Sequence, residues 1–151
     1  MSTVISVSGL RKSYGANAAV AGVDLSIQQG EIFALLGPNG AGKTTTVEIL
    51  EGFRDRDSGD VKVLGFDPAT KGPAGQAWRD RIGIVLQSTS DAGDLTVYES
   101  VSHFAHYYKS AKDPREVIEL VGLTEKADAL GRTLSGGQRR RLDVALGIIG
   151  N

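Results

Sequence analysis

The chain has 151 residues, a length typical of one domain, and its 40% hydrophobic and 23% charged residues are ordinary proportions for a soluble globular protein. Its 17 Lys and Arg against 18 Asp and Glu give a net charge of −1, which disfavours a nucleic-acid-binding surface because phosphate contacts need excess positive charge. The absence of cysteine excludes disulfides, thiolate catalysis and cysteine metal sites, and no apolar run approaches the roughly 20 residues of a membrane span.

The first ninety residues predict several strands and one helix. Unbroken apolar runs at residues 31–36 and 81–86 predict strands that are covered on both faces, as in a parallel sheet. Residues 44–51 predict a helix that Gly52 caps. Alternation of apolar and polar residues predicts half-exposed strands at residues 4–7, 23–27 and 60–64.

The pattern becomes helical after residue 90. Apolar residues recur with a period near 3.6 across residues 95–109 and predict a helix there. Further helices are predicted at residues 114–120, at 124–130 and from 142 onward, the last opened by Ser135. We expect a single domain with an α/β core in residues 1–90, a helical subdomain in residues 91–141 and the start of a return to the core in residues 142–151.

A phosphate-binding motif follows the first apolar run. Residues 37–44 match G-x-x-x-x-G-K-[ST], with a predicted strand before the motif and a predicted helix after it. Glycines let successive backbone amides converge on phosphate oxygens, the lysine faces the β- and γ-phosphates, and the threonine hydroxyl is a hard ligand for Mg²⁺. The sequence therefore predicts a nucleoside triphosphate site formed by Gly37, Pro38, Asn39, Gly40, Ala41, Gly42, Lys43, Thr44 and Thr45.

A second motif opens the last predicted helix. Residues 134–138 read Leu-Ser-Gly-Gly-Gln, in which Ser135 and Gln138 have the spacing of a capping box. A cap does not explain two glycines in the first helical turn, where each costs up to about 1 kcal/mol. Glycines there suit a ligand that touches the bare helix N-terminus, and phosphate is the natural candidate.

Taken together, the two motifs resemble those of the nucleotide-binding domain of ATP-binding-cassette (ABC) proteins, and the resemblance runs over essentially the whole chain. It implies a P-loop NTPase core, a parallel sheet with an N-terminal antiparallel β portion, together with an α-helical subdomain. It further implies that the signature of one subunit covers the γ-phosphate of ATP bound to the P-loop of a second subunit. The residues implied to contact ATP in this way are Ser135, Gly136, Gly137 and Gln138.

The same resemblance implies roles for three more residues. Tyr14 lies where the family keeps an aromatic ring that stacks on adenine, whereas a tyrosine in a turn is otherwise a packing residue. Val20 follows at the spacing of a second adenine neighbour, and an ordinary core role fits it equally well. Gln87 resembles the Q-loop glutamine, which touches Mg²⁺ and the attacking water. The implied catalytic residues are Lys43 and Gln87, and the implied metal ligands are Thr44 and Gln87.

Other features are expected to have structural roles. His103 and His106 are one helical turn apart, but without a third ligand in sight a metal site is not expected. Trp78 is expected to be a packing residue. The basic run at residues 139–141 is expected to be a solvated or subunit-facing surface rather than a nucleic-acid patch, given the net charge.

The resemblance also indicates what the chain lacks. The family's second nucleotide motif, an apolar strand ending in Asp-Glu, follows the signature helix, and the chain ends before it. We therefore expect a C-terminally truncated domain that does not hydrolyse ATP at a useful rate by itself.

By resemblance, the protein is an ATP-binding and ATP-hydrolysing subunit of a membrane transporter, similar to ABC-2-type, drug-export-like ATPases. The implied cofactors are ATP and Mg²⁺, and the implied partners are a second nucleotide-binding domain, in a homodimer, and a transmembrane permease subunit. The implied location is cytoplasmic, on the inner face of the cell membrane. Two alternatives stay open: an ABC ATPase that acts on DNA or the ribosome instead of a transporter, and a fragment that only binds nucleotide.

Overall fold

The computed structural model describes residues 2–86 and 93–150. The chain divides into two compact units, Met1–Arg79 and Asp80–Asn151, and each is described separately here. Within the described residues, none of the helices combines the length and the apolar character needed to cross a membrane. The predicted functional residue Gln87 lies outside the described residues.

The first unit is built on a three-stranded antiparallel sheet, β1 (Thr3–Tyr14), β2 (Asn17–Gln28) and β3 (Ser58–Val63), in the order β2-β1-β3. The strands that the alternating pattern predicts are thus confirmed, and β1 is much longer than residues 4–7. Val7 pairs with Val61, and both side chains are buried because they share the sheet face that packs on the core. Gly15, with a φ of +59°, lies in the turn that connects β1 and β2.

Two helices complete the first unit, α1 (Lys43–Leu50) and α2 (Gly72–Arg79). The predicted helix at residues 44–51 is confirmed, and Gly52 follows it with a left-handed φ of +72°, as a helix-ending glycine should. Trp78 of α2 is fully buried and packs against Gly52, where an added Cβ would lie 2.8 Å from the indole ring. The packing role expected for Trp78 is therefore confirmed, although α2 itself is not apparent from the sequence pattern.

The strands predicted at residues 31–36 and 81–86 are not formed. Both stretches lack strand structure, and Ile32 and Leu36 are 100% and 87% exposed. An apolar run indicates a preference for burial, but a strand exists only where neighbouring strands take up its amides and carbonyls. In the part of the chain that the structure describes, the named strands form a single antiparallel sheet and none pairs with either run. The antiparallel portion of the expected fold is present there, and the parallel portion is not.

The second unit is helical, with α3 (Val97–Ala105), α4 (Pro114–Leu120) and α5 (Gly136–Ile148). Capping boxes begin α3 at Thr96 and α5 at Ser135, and Asp113 caps α4. These three predicted helices are confirmed: α4 has the predicted bounds, α3 is shorter than residues 95–109, and α5 starts before residue 142. Their shared core consists of Val97, Val101, Val117, Ile118, Leu123, Leu134, Leu142, Ala145 and Ile149.

The helix predicted at residues 124–130 is only a single 3₁₀ turn, Thr124–Lys126. The carbonyls of Ala127 and Ala129 instead accept hydrogen bonds from the first amides of α3, those of Tyr98 and Val97, at 2.9 and 3.0 Å. The first amides of a helix have no partner within it, so these two carbonyls satisfy the start of α3.

We predict that the backbone of β1 excludes a side chain at Gly59 in β3. Gly59 has a φ of +98°, and an added Cβ would lie 2.6 Å from the Gly9 carbonyl oxygen, whereas Gly65, with a φ of +82°, has open space there. Gly65→Ala should therefore cost only the left-handed strain, about 1 kcal/mol, and Gly59→Ala about 3 kcal/mol. Urea unfolding followed by Trp78 fluorescence measures both, and equal losses would contradict the proposed steric conflict.

Candidate nucleotide site

The loop at residues 37–42 has the backbone conformation that its glycines permit. Gly40 and Gly42 have left-handed φ values of +83° and +78°, which other residues adopt only with strain. Gly42 is also the N-cap residue of α1. A Cβ added to it would overlap the backbone carbonyl of Ala19 in β2. Only glycine fits at this position, so the loop brings the bare N-terminus of α1 close against the sheet.

The side chain of Lys43, the first residue of α1, reaches back to the start of the loop. Its Nζ donates hydrogen bonds to the carbonyl oxygens of Gly37 and Pro38 at 2.8 and 2.7 Å. The ammonium group is thus held at the centre of the curled backbone, where it can face an anion. Gly42 has no side chain to cap α1, so the first amides of the helix, those of Lys43, Thr44 and Thr45, have no side-chain cap and can donate to an anion.

The two threonines around these amides differ in their surroundings. Thr46 is buried, and its hydroxyl donates to the Gly42 carbonyl at 2.9 Å, which fastens the start of the helix. Thr44 is exposed, so its hydroxyl lies where a bound cation could use it. Among residues 2–86 and 93–150, no group of three or more His, Cys, Asp or Glu side chains is arranged to hold a metal ion.

The β1–β2 hairpin brings the predicted adenine neighbours to the same unit as the loop. Tyr14 ends β1 opposite Asn17, and 42% of its surface is exposed. Val20 of β2 is 4% exposed and lies beside Gly42, its Cγ2 3.2 Å from an added Cβ there. Val20 is therefore a core residue that supports the loop, and Tyr14 offers an accessible ring.

Charged side chains surround Tyr14 in a way that sequence reasoning missed. The Arg54 guanidinium carbon lies 5.5 Å and the Lys12 Nζ 5.7 Å from the centre of the Tyr14 ring. Arg54 in turn contacts Glu48 of α1, with an Nε–Oε2 distance of 2.6 Å. The hydrogen bond to Glu48 is the main reason that the pKa of Arg54 is raised above its ordinary value.

Asp57 holds the backbone beside the same ring. One carboxylate oxygen lies 2.8 Å from Lys12 Nζ, and the other accepts a hydrogen bond of 2.7 Å from the amide of Ser13. These two contacts, with Lys12 first, lower the pKa of Asp57 below its ordinary value. The signal in the sequence is the run Arg-Asp-Arg-Asp at residues 54–57, but its charges acquire partners only when the hairpin is folded.

The signature residues begin helix α5. The Ser135 hydroxyl accepts a hydrogen bond from the Gln138 amide at 3.3 Å, and Gln138 Oε1 accepts one from the Ser135 amide at 2.9 Å, which confirms the capping box. Gly136 and Gly137 are exposed, have no positive φ, and an added Cβ at either would meet nothing within 4 Å. Neither conformation nor packing within the described residues requires glycine at these two positions.

The basic run after the signature is structural. Successive residues of a helix lie about 100° apart around its axis, so the three arginines reach in different directions. Arg139, Arg140 and Arg141 donate to the carbonyls of Gly131, Leu86 and Gly122 at 2.9, 2.8 and 3.4 Å. The run therefore joins α5 to three neighbouring segments of its own unit.

The two histidines have protein partners rather than each other. His103 Nε2 lies 3.1 Å from the Tyr107 hydroxyl, and His106 Nδ1 lies 2.7 Å from the Ser102 carbonyl oxygen. Both contacts are local to the end of α3.

Comparison with known proteins agrees with the fold and the loop. Residues 20–151 match the family described as ABC transporter. The chain is 42% identical to the Nod factor export ATP-binding protein I of Ralstonia nicotianae over 97% of its length and 46% of that protein. It is 34% identical to the linearmycin resistance ATP-binding protein LnrL of Bacillus subtilis, over 97% of this chain and 48% of the relative. The structure of cbiO1 from Clostridium perfringens, part of the ABC transporter complex cbiONQ, superposes with a TM-score of 0.85 at 27% identity, over 99% of this chain and 62% of that one.

The fold and the loop thus define a P-loop nucleotide-binding cassette. The chain belongs to the ABC transporter family, since the family match covers most of its residues. It spans about half the length of the curated relatives it matches.

We predict that the signature glycine Gly137 lowers the free energy of unfolding. Gly137→Ala should raise the free energy of unfolding by about 0.5–1 kcal/mol, because alanine favours the helix and the space is open. Gly147→Ala in the same helix is the matched control and should lower it by about 1–3 kcal/mol, because the added Cβ would lie 2.6 Å from Val85 Cγ2. Chemical unfolding followed by far-ultraviolet circular dichroism compares the two, and a loss of stability in Gly137→Ala would mean that a local contact requires this glycine.

Proposed function

We propose that this chain carries the ATP-binding part of an ABC transporter ATPase. The observation that carries the proposal is the loop at residues 37–42 that curls around the Lys43 ammonium at an uncapped helix N-terminus. Backbone amides, a helix dipole and a fixed cation together suit the β- and γ-phosphates of a nucleoside triphosphate.

In this proposal, different residues of the site contact different parts of Mg·ATP. Residues 37–45 hold the phosphates, and Lys43 neutralises charge between the β- and γ-phosphates. Mg²⁺ would be held by the exposed Thr44 hydroxyl together with Gln87, and the Tyr14 ring would stack on adenine. The exposure of Thr44 and Tyr14 supports these two assignments.

The signature residues are proposed to serve a second nucleotide, bound by another cassette. Gly136 and Gly137 have open space and an ordinary backbone conformation, so a close external contact gives a physical reason for them. Phosphate suits this position because α5 begins there and its first two residues, Gly136 and Gly137, are exposed. The functional unit would then be a homodimer that closes on two ATP molecules, and its closure would drive the transport step.

We further propose a transmembrane permease subunit as partner and a cytoplasmic location on the inner face of the cell membrane. Two of the relatives are named for Nod factor export and for linearmycin resistance, which favours an exporter. An ABC ATPase that acts on DNA or the ribosome is the weaker candidate, because the matching family is described as ABC transporter and the net charge is only −1.

The binding proposal predicts that Lys43→Ala weakens Mg·ATP binding by about 2–5 kcal/mol, since a charge-assisted contact to the phosphates is removed. Lys62→Ala, an exposed lysine of β3, is the control and should leave the affinity unchanged. Titration calorimetry on the 151-residue chain measures both. Equal affinities of wild type and Lys43→Ala would remove the assignment of this loop.

The dimer proposal predicts a different phenotype for the signature. In a cassette of the relatives' length that contains these residues, Gly137→Asp should leave ATP binding by the monomer intact and abolish ATP-driven dimerisation. The added carboxylate would repel the γ-phosphate only when the second cassette approaches. Calorimetry and light scattering with ATP separate the two effects, and a loss of monomer affinity would contradict the assignment in trans.

A further inference from the structure

One loop of the first unit reaches from the P-loop helix to the ring of Tyr14. Residues 51–57 connect α1 with β3, and Arg54 lies near the middle of this connection. The amides of Phe53 and Arg54 both donate to the Glu48 carbonyl, at 2.9 and 3.1 Å. The Arg54 side chain contacts the Glu48 carboxylate at 2.6 Å as well. Arg54 is therefore fastened to α1 through both its backbone and its side chain.

The same guanidinium group also lies beside Tyr14. Its central carbon lies 5.5 Å from the ring centroid, within the range of a cation–π contact. Asp57, from the same loop, binds the amide of Ser13, the residue before Tyr14. The loop thus fixes the backbone next to Tyr14 with Asp57 and approaches the ring itself with Arg54.

A half-exposed aromatic ring at the end of a hairpin has several side-chain orientations of similar energy, and only one of them presents its face to a base. A cation that is itself held in place favours one orientation and reduces the ordering that a ligand must impose. Because Glu48 belongs to the helix whose N-terminus faces the phosphates, the same contacts set the position of the ring relative to the P-loop.

We propose that Arg54 is a positioning residue for nucleotide binding: anchored to Glu48 of α1, it holds the Tyr14 ring in the orientation that stacks on the base of a nucleoside triphosphate. The inference rests on the proposed function, since it assumes that the triphosphate binds to residues 37–45. It concerns the base alone and leaves the phosphate contacts as they are. Removing the Arg54 side chain should therefore weaken the binding of ATP but not the binding of inorganic tripolyphosphate, which has no base.

The test is a titration of Mg·ATP and of Mg·tripolyphosphate into the 151-residue chain by calorimetry. Arg54→Met should weaken ATP binding about three- to fivefold, as expected for an exposed cation–π contact, and leave tripolyphosphate binding within about twofold. Arg54→Lys, which keeps the charge and the pairing with Glu48, should restore at least half of the lost affinity for ATP.

The matched control is Arg56→Met. Arg56 is in the same loop and makes a bidentate pair with Asp67, at 2.8 and 2.7 Å, with no part in the contacts around Tyr14 described above. Its loss should affect both ligands equally or neither. Tyr14→Ala should also weaken only ATP binding, and Arg54→Met combined with Tyr14→Ala should be no weaker than Tyr14→Ala alone, because the arginine acts through the ring.

The outcomes separate this inference from the proposed function. Failure of the wild-type chain to bind either ligand would overturn both. Normal binding of both ligands by the wild type, with ATP affinity unchanged in Arg54→Met, would overturn the positioning role alone. A double variant much weaker than Tyr14→Ala would also overturn it, because Arg54 would then touch the nucleotide directly. Equal losses for ATP and tripolyphosphate in Arg54→Met would instead show a general distortion of the P-loop, again against the inference.

Discussion

The contact between Gly42 and the backbone of β2 is the constraint on which the nucleotide site depends. Gly42 has a left-handed φ of +78°, and it lies so close to the Ala19 carbonyl that no Cβ fits between them. Because the same residue begins α1, this approach fixes where the helix N-terminus points. It also packs the phosphate loop against the hairpin that carries Tyr14. The two ends of a bound nucleotide would therefore contact neighbouring parts of the same unit.

Charge in the first unit is organised around that arrangement. Glu48 and Asp57 each pair with a cation that lies near the Tyr14 ring; Glu48 belongs to α1 and Asp57 to the loop that follows it. Exposed ion pairs contribute little to stability on their own, so their value here is geometric. The chain is almost neutral overall, and what matters for binding is where a few charges are held.

Helix α5 of the second unit contains glycines in two different environments. Near the end of α5, Gly147 is needed because Val85 packs against its backbone, whereas Gly136 and Gly137 at the start meet no neighbour. These two glycines lower helix stability, and nothing within the described residues requires them. The three arginines that follow join the helix to its surroundings, which keeps this exposed N-terminus in a fixed place.

The sequence by itself determined the features that depend on residues only a few positions apart. The capping box at Ser135, the helix-ending Gly52 after α1 and the glycine loop before Lys43 could all be predicted, because local hydrogen bonds and backbone angles decide them. The alternating strands could be predicted for the same reason, since one buried face is visible as a period of two.

Only the tertiary structure decided the features that need a distant partner. The apolar runs at residues 31–36 and 81–86 look like buried strands, yet a strand forms only when another backbone takes up its hydrogen bonds. Residues 124–130, expected to form a helix, form one 3₁₀ turn, and the carbonyls of Ala127 and Ala129 accept hydrogen bonds from the distant start of α3. The role proposed for Arg54 also depends on a distant partner. Its spacing to Glu48 is local, but its contact with Tyr14 joins residues 40 positions apart, and no pattern in the sequence predicts that contact.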